Sequence, residues 1–102
     1  MFSIFKKLFV PGIDLKQLKE NGAMIIDVRT AGEYNGGHIE DAINIPLDNF
    51  RSKINDIKKK DKAVITCCAS GMRSGSATSL LKQAGIEAYN GGGWVSLNNK
   101  LN

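Results

Sequence analysis

A chain of 102 residues, 42% hydrophobic and 24% charged, has the composition of one ordinary globular domain, which argues against a disordered segment, a membrane protein or two domains with separate cores. Its two cysteines are adjacent, Cys67 and Cys68, so no disulfide framework crosses the fold and packing alone must sustain it. The net charge of +4 comes largely from Lys58, Lys59, Lys60 and Lys62, a solvated helix end and loop; no aromatics interleave with them, so no nucleic-acid partner is expected.

Residues 1–12 form an apolar and basic extension that precedes the domain proper, residues 13–102. Phe2, Ile4, Phe5, Leu8 and Phe9 surround Lys6 and Lys7, and Phe2, Phe5 and Phe9 share one helical face, which is expected to pack on the domain surface. No apolar run reaches the ~20 residues of a membrane span. Leu8-Phe9-Val10 before Pro11-Gly12 is too short for a signal-peptide core, so a cytoplasmic protein without firm membrane association is expected.

Ile13 and Asp14 open a helix striped by Leu15 and Leu18 and stopped at Asn21-Gly22. Residues 23–28 are a nearly continuous apolar run, the pattern of a strand covered on both faces in a parallel sheet. Thr30 and Glu33 have capping-box spacing for a short helix through Tyr34, broken by Gly36-Gly37. Residues 42–45 read as a short strand ended by Pro46, and Asp48 as the cap of a helix bearing Phe50, Ile54 and Ile57. Residues 63–67 make the second buried strand, and residues 76–84 a helix with Ala77, Leu80, Leu81 and Ala84 inward, closed by Gly85. Residues 86–89 form a last strand, after which Gly91-Gly92-Gly93 turn the chain into a terminal helix carrying Trp94 and Leu97. Such alternation implies a single α/β domain with a mainly parallel central sheet and helices on both faces.

The chemistry concentrates where the second buried strand ends. In parallel sheets ligands meet the carboxyl ends of strands, where helix N-termini point outward. A loop of small residues there can turn its N–H groups toward one point and hold an anion. A cysteine in such a nest has its thiolate favoured and becomes a nucleophile at neutral pH. One histidine and two adjacent cysteines make a poor metal site, so none is expected.

Cys68-Ala69-Ser70-Gly71-Met72-Arg73-Ser74 fits, without a gap, the Cys-x-Ser-Gly-x-Arg-Ser loop of single-domain rhodaneses, the thiosulfate sulfurtransferases and their relatives. Asp27-Val28-Arg29, Glu33-Tyr34, Gly37-His38-Ile39 and Ala42-Ile43-Asn44-Ile45-Pro46 fit a second motif of that family, and Leu81, Gly85 and Gly92-Gly93-Trp94 a third. From about Ile13 to Leu97 the chain resembles this family; Asp41 stands where the family commonly has glycine. The resemblance implies a rhodanese-like fold in which Cys68 takes a sulfane sulfur from a small anionic donor such as thiosulfate and becomes a persulfide. A thiol, cyanide or a protein acceptor then removes the sulfur, without a cofactor and with ping-pong kinetics. By the same resemblance the backbone amides of Ala69, Ser70, Gly71, Met72 and Arg73 cradle the anion. Ser70 and Arg73 add side-chain contacts, unless Arg73 turns away to tie down the loop. A carrier or regulatory module of low turnover is the alternative within the family.

A rival register starts one residue earlier. Cys67-x5-Arg73-Ser74 fits the Cys-x5-Arg-Ser loop of cysteine phosphatases and arsenate reductases, although Thr66 stands where those enzymes commonly have histidine. Periodicity turns Cys67 partly into the core, which favours Cys68. The other polar residues read as structure: His38 as part of its turn, Asp27 and Arg29 as partners of each other at a strand end, and Trp94 as a cover of the core or rim of the pocket.

Overall fold

In the computed structural model, which describes residues 13–102, strands and helices alternate along the chain. The expected packing of the Phe-bearing extension lies outside the described residues. The strands are β1 (Met24–Asp27), β2 (Ile43–Asn44), β3 (Val64–Cys68) and β4 (Ala88–Gly93); the helices are α1 (Leu15–Glu20), α2 (Ala31–Asn35), α3 (Leu47–Lys59), α4 (Met72–Gln83) and α5 (Trp94–Leu101). The sheet order is β2-β1-β3-β4 with every pair parallel. All carboxyl ends therefore lie along one edge of the sheet.

Side chains alternate across β3 because successive residues of a strand point to opposite faces. Val64 and Cys68 join Ile26, Val28, Phe50, Ile57, Ala77 and Leu81 in one core. Ile65 and Cys67 join Ile25, Ile39, Ala42 and Leu97 in the other, with Leu15 and Leu18 of α1 against it. Phe50, Leu81 and Leu97 are fully buried, each worth roughly 1.5–3 kcal/mol of transfer free energy. Two apolar layers around a double-sided sheet are what the largely apolar runs in β1 and β3 require.

Local signals in the sequence hold where they are backed by a specific hydrogen bond. Asp14 accepts the Gln17 N–H at 3.1 Å and caps α1. Thr30 and Glu33 form the reciprocal capping box of α2. The expectations for four boundaries need correction. Asp48 lies inside the first turn of α3, whose N-cap is Pro46, because the Leu47 N–H is already bonded to the Val28 carbonyl at 3.1 Å. Helix α4 starts at Met72, not Ser76; its first turn shows no apolar period, because Met72 is exposed and no other apolar residue precedes Ala77. Strand β3 runs through Cys68 rather than ending at Cys67.

The glycine run is strand, not turn. A Cβ on Gly91 would lie 2.7 Å from the Thr66 carbonyl oxygen and 2.8 Å from Leu97 Cδ2, so only glycine lets β4 pass beneath α5. The lysine run is exposed at the end of α3, where Lys58 and Lys59 suit the helix dipole. Among the described residues no helix is long and apolar enough to cross a membrane.

Candidate active site

Cys68 ends β3, and three small residues later α4 begins. Gly71 makes that turn with φ +104°, a left-handed conformation that a side chain would strain. The turn brings the Gly71 N–H to 2.9 Å and the Ser74 N–H to 3.4 Å from Cys68 Sγ, with Ser74 Oγ at 3.3 Å. The sulfur thus sits at the N-terminus of a 12-residue helix, among donors and no carboxylate contacts. Burial, the largest influence, pushes the thiol pKa up. Bonds from the Ser74 hydroxyl and from the N–H groups of Ser74, Gly71 and Ser70 outweigh it and hold the thiol below its ordinary value.

Its neighbour has the opposite environment. Cys67 points through the other face of the sheet, where burial first and the Asp27 carboxylate second push its thiol up to about 12, with Arg29 opposing only in part. Both thiols are free. Hydrogen bonds therefore favour the thiolate at Cys68, whereas burial and the Asp27 charge oppose it at Cys67, which disfavours the phosphatase-like register on physical grounds.

Arg73 lies in the first turn of α4, and its guanidinium turns to α2. Nη1 and Nη2 donate to Glu33 Oε1 and Oε2 at 2.8 and 3.0 Å. This fork, followed by the Thr30 N–H, holds the Glu33 carboxyl down to about 2. The arrangement is the loop-tying one, while the Arg73 cation still feels charge on Cys68. Ala69 and Ser70 are exposed beside the sulfur, and Met72 is 81% exposed. Cys68 itself is 1% exposed.

Beneath the loop Asp27 and Arg29 form a buried pair. Arg29 Nε and Nη2 donate to Asp27 Oδ1 and Oδ2 at 3.0 and 2.7 Å, and the same guanidinium reaches the Gly37 and Glu33 carbonyls. Trp94 covers it, with the guanidinium carbon 4.8 Å from the ring centroid. His38 is exposed. Its ring stacks on Tyr34 at 3.7 Å, and Nδ1 donates to the Tyr34 carbonyl at 2.8 Å. A carbonyl only accepts, so Nδ1 carries the proton and the ring builds its turn.

Three contributors escaped the sequence reading in these roles. In the sequence Ser74 is only one residue of a motif, yet its buried hydroxyl touches the sulfur. Asn90 ties β4 to the loop by donating Nδ2–H to the Gly71 carbonyl at 3.0 Å. Glu33 serves as both helix cap and anchor of Arg73. The signal for Asn90 is its place within β4 opposite Thr66 of β3, visible only once the strand order is known.

Residues 13–100 match the family described as the Rhodanese-like domain. YqhL of Bacillus subtilis (strain 168), itself uncharacterized, is 44% identical over 69 residues, which cover 67% of this chain and 54% of that protein. The tRNA uridine(34) hydroxylase of Onion yellows phytoplasma (strain OY-M) is 33% identical over 78 residues, covering 72% of this chain and 25% of the hydroxylase. The chain thus spans about half or less of the length of these relatives. A solved rhodanese with anions from E. coli has a TM-score of 0.67 at 32% identity, covering 74% of this chain and 91% of that one. With the match running from the start of α1 into the last turn of α5, the chain belongs to the rhodanese-like domain family.

Proposed function

We infer that the domain is a sulfurtransferase that carries a sulfane sulfur on Cys68. The observation that supports this reading best is the pair of N–H donors aimed at one sulfur, from Gly71 and Ser74, at the start of a helix. The Cys68 thiolate attacks the outer sulfur of a donor such as thiosulfate; a new S–S bond forms, and the old one breaks with its electron pair leaving on sulfite. An acceptor nucleophile, a thiolate or cyanide, then attacks the terminal sulfur and returns the Cys68 thiolate. The amides from Ala69 to Arg73 hold the donor's anionic group and the persulfide. Such a thiol works in a reducing compartment, and the cytoplasm is the proposed location.

The test is the intact mass of the protein after incubation with thiosulfate. A gain of one sulfur atom that is lost in Cys68→Ser and kept in Cys67→Ala supports the reading; a gain lost in Cys67→Ala, or no gain at all, overturns it. A second reading, a sulfur carrier of low turnover toward free thiosulfate, is favoured by the commitment of Arg73 to Glu33. Cyanide turnover close to zero with a persulfide that still forms from a protein donor selects the carrier.

A further inference from the structure

The hydrogen-bond arithmetic around Ser74 constrains when Cys68 can be anionic. Asn90 has a determined orientation: the Gly92 N–H, which can only donate, points to Oδ1 at 2.9 Å, and the Gly71 carbonyl, which can only accept, receives Nδ2 at 3.0 Å. An acceptor oxygen therefore faces Ser74 Oγ at 2.7 Å, and the single hydroxyl proton of Ser74 must lie between them. What Ser74 then shows to Cys68 Sγ, 3.3 Å away, is a lone pair. That complements S–H and opposes S⁻.

Thus a chain runs S–H to Oγ–H to O=C in the thiol state. When the sulfur loses its proton to solvent, the Ser74 hydroxyl must rotate to donate to sulfur, and Asn90 Oδ1 keeps only the Gly92 N–H. We propose that Asn90 is a positioning residue for Cys68: it competes for the one proton of Ser74, favours the resting thiol, and yields that proton when the sulfur becomes anionic. Ser74 is fully buried, so within this network its hydroxyl serves one of these two neighbours at a time.

The charged groups around the sulfur do not supply the same competition. From α4, Arg73 favours the anion and is itself paired with Glu33 of α2. On β3, Cys67 faces the other core, and from β1 Asp27 is paired with Arg29. On β4, Tyr89 donates to Glu87, and residues 90–93 hold no ionisable side chain. The competition is therefore specific to Asn90, through Ser74.

The test follows thiolate absorbance in the ultraviolet against pH, in a Cys67→Ala background where Cys68 is the sole cysteine. It uses no sulfur donor and so stands or falls apart from the sulfur-transfer reading. Asn90→Ala frees the Ser74 proton, and the Cys68 inflection is expected to fall by roughly half to one pH unit, the size of one neutral hydrogen bond. A scaffold role alone has the opposite sign, because losing the tether on Gly71 weakens the Gly71 N–H bond to sulfur. In a Ser74→Ala background the downward shift must vanish. An inflection that rises, stays put, or falls equally in both backgrounds overturns the proposal. If Asn90→Ala does not fold by circular dichroism, Asn90→Asp decides: its upward shift must shrink when Ser74→Ala is added, and an equal shift in both backgrounds refutes the competition.

Discussion

Replacing Asp27 by asparagine tests how the buried pair beneath the site supports the loop above it. The substitution keeps shape and removes the charge opposite Arg29, whose Nε and Nη2 now donate to both carboxylate oxygens. Breaking a buried pair costs about 3–5 kcal/mol when one ion is left alone. Here the guanidinium keeps the Gly37 and Glu33 carbonyls and the Trp94 face, so the lower end, about 3 kcal/mol, is expected. That is a large fraction of the ~5–15 kcal/mol that holds a domain folded, and equals a drop in Tm of roughly 12–24 °C at ~4–8 °C per kcal/mol. Urea unfolding checks it, with the midpoint lowered and the slope unchanged. The loosening should also reach the site, because Arg29 holds the α2 backbone whose Glu33 side chain anchors Arg73. A loss below ~1 kcal/mol would refute the reasoning, since it would mean the carbonyls and Trp94 satisfy Arg29 unaided.

Ser74→Ala removes a hydroxyl donor from the sulfur anion. A bond to a charged group is worth ~1.5–3 kcal/mol, and the 3.3 Å separation places this one at the weak end, so the Cys68 thiolate should appear about one pH unit higher. The same absorbance titration reads it. Glu33→Gln breaks the fork to Arg73. The folded Glu33 carboxyl sits at about 2 against an ordinary 4.5, so its contribution is complete above the ordinary value and is lost as pH falls through about 2. Thermal unfolding between those limits should therefore depend less steeply on pH in Glu33→Gln than in the parent chain; equal slopes would exclude the pair as the cause. Leu81→Ala leaves a void in the core beneath α4 and should cost ~2–5 kcal/mol by urea unfolding, whereas an exposed change such as Lys59→Ala should move it by less than ~0.5 kcal/mol.

Much of the α/β architecture was legible because its causes are local. The largely apolar runs of β1 and β3 reflect strands covered twice, and the caps of α1 and α2 are set by side chains three residues away. Boundaries failed where the local signal was silent or misleading. The first turn of α4 shows no apolar period, and Gly91, which signals a turn in isolation, lies in a strand where the Thr66 carbonyl and Leu97 leave no room for a Cβ. The loop residues 69–73 were named from the motif, but the direction of the Arg73 side chain depended on Glu33, 40 residues distant.

The adjacent cysteines divide these two kinds of knowledge. From sequence alone it follows that the two side chains point to opposite faces and that Cys68 leads into a loop of small residues, because alternation along a strand separates neighbours whatever the rest of the chain does. Tertiary structure decided how the second sulfur is held. Parallel pairing sets β4 beside β3 and brings Asn90 to Ser74 from 16 residues away, while packing turns the N-terminus of α4 onto Cys68. A single hydroxyl proton has no preferred partner until those elements meet, so the protonation chemistry of Cys68 is a property of the fold.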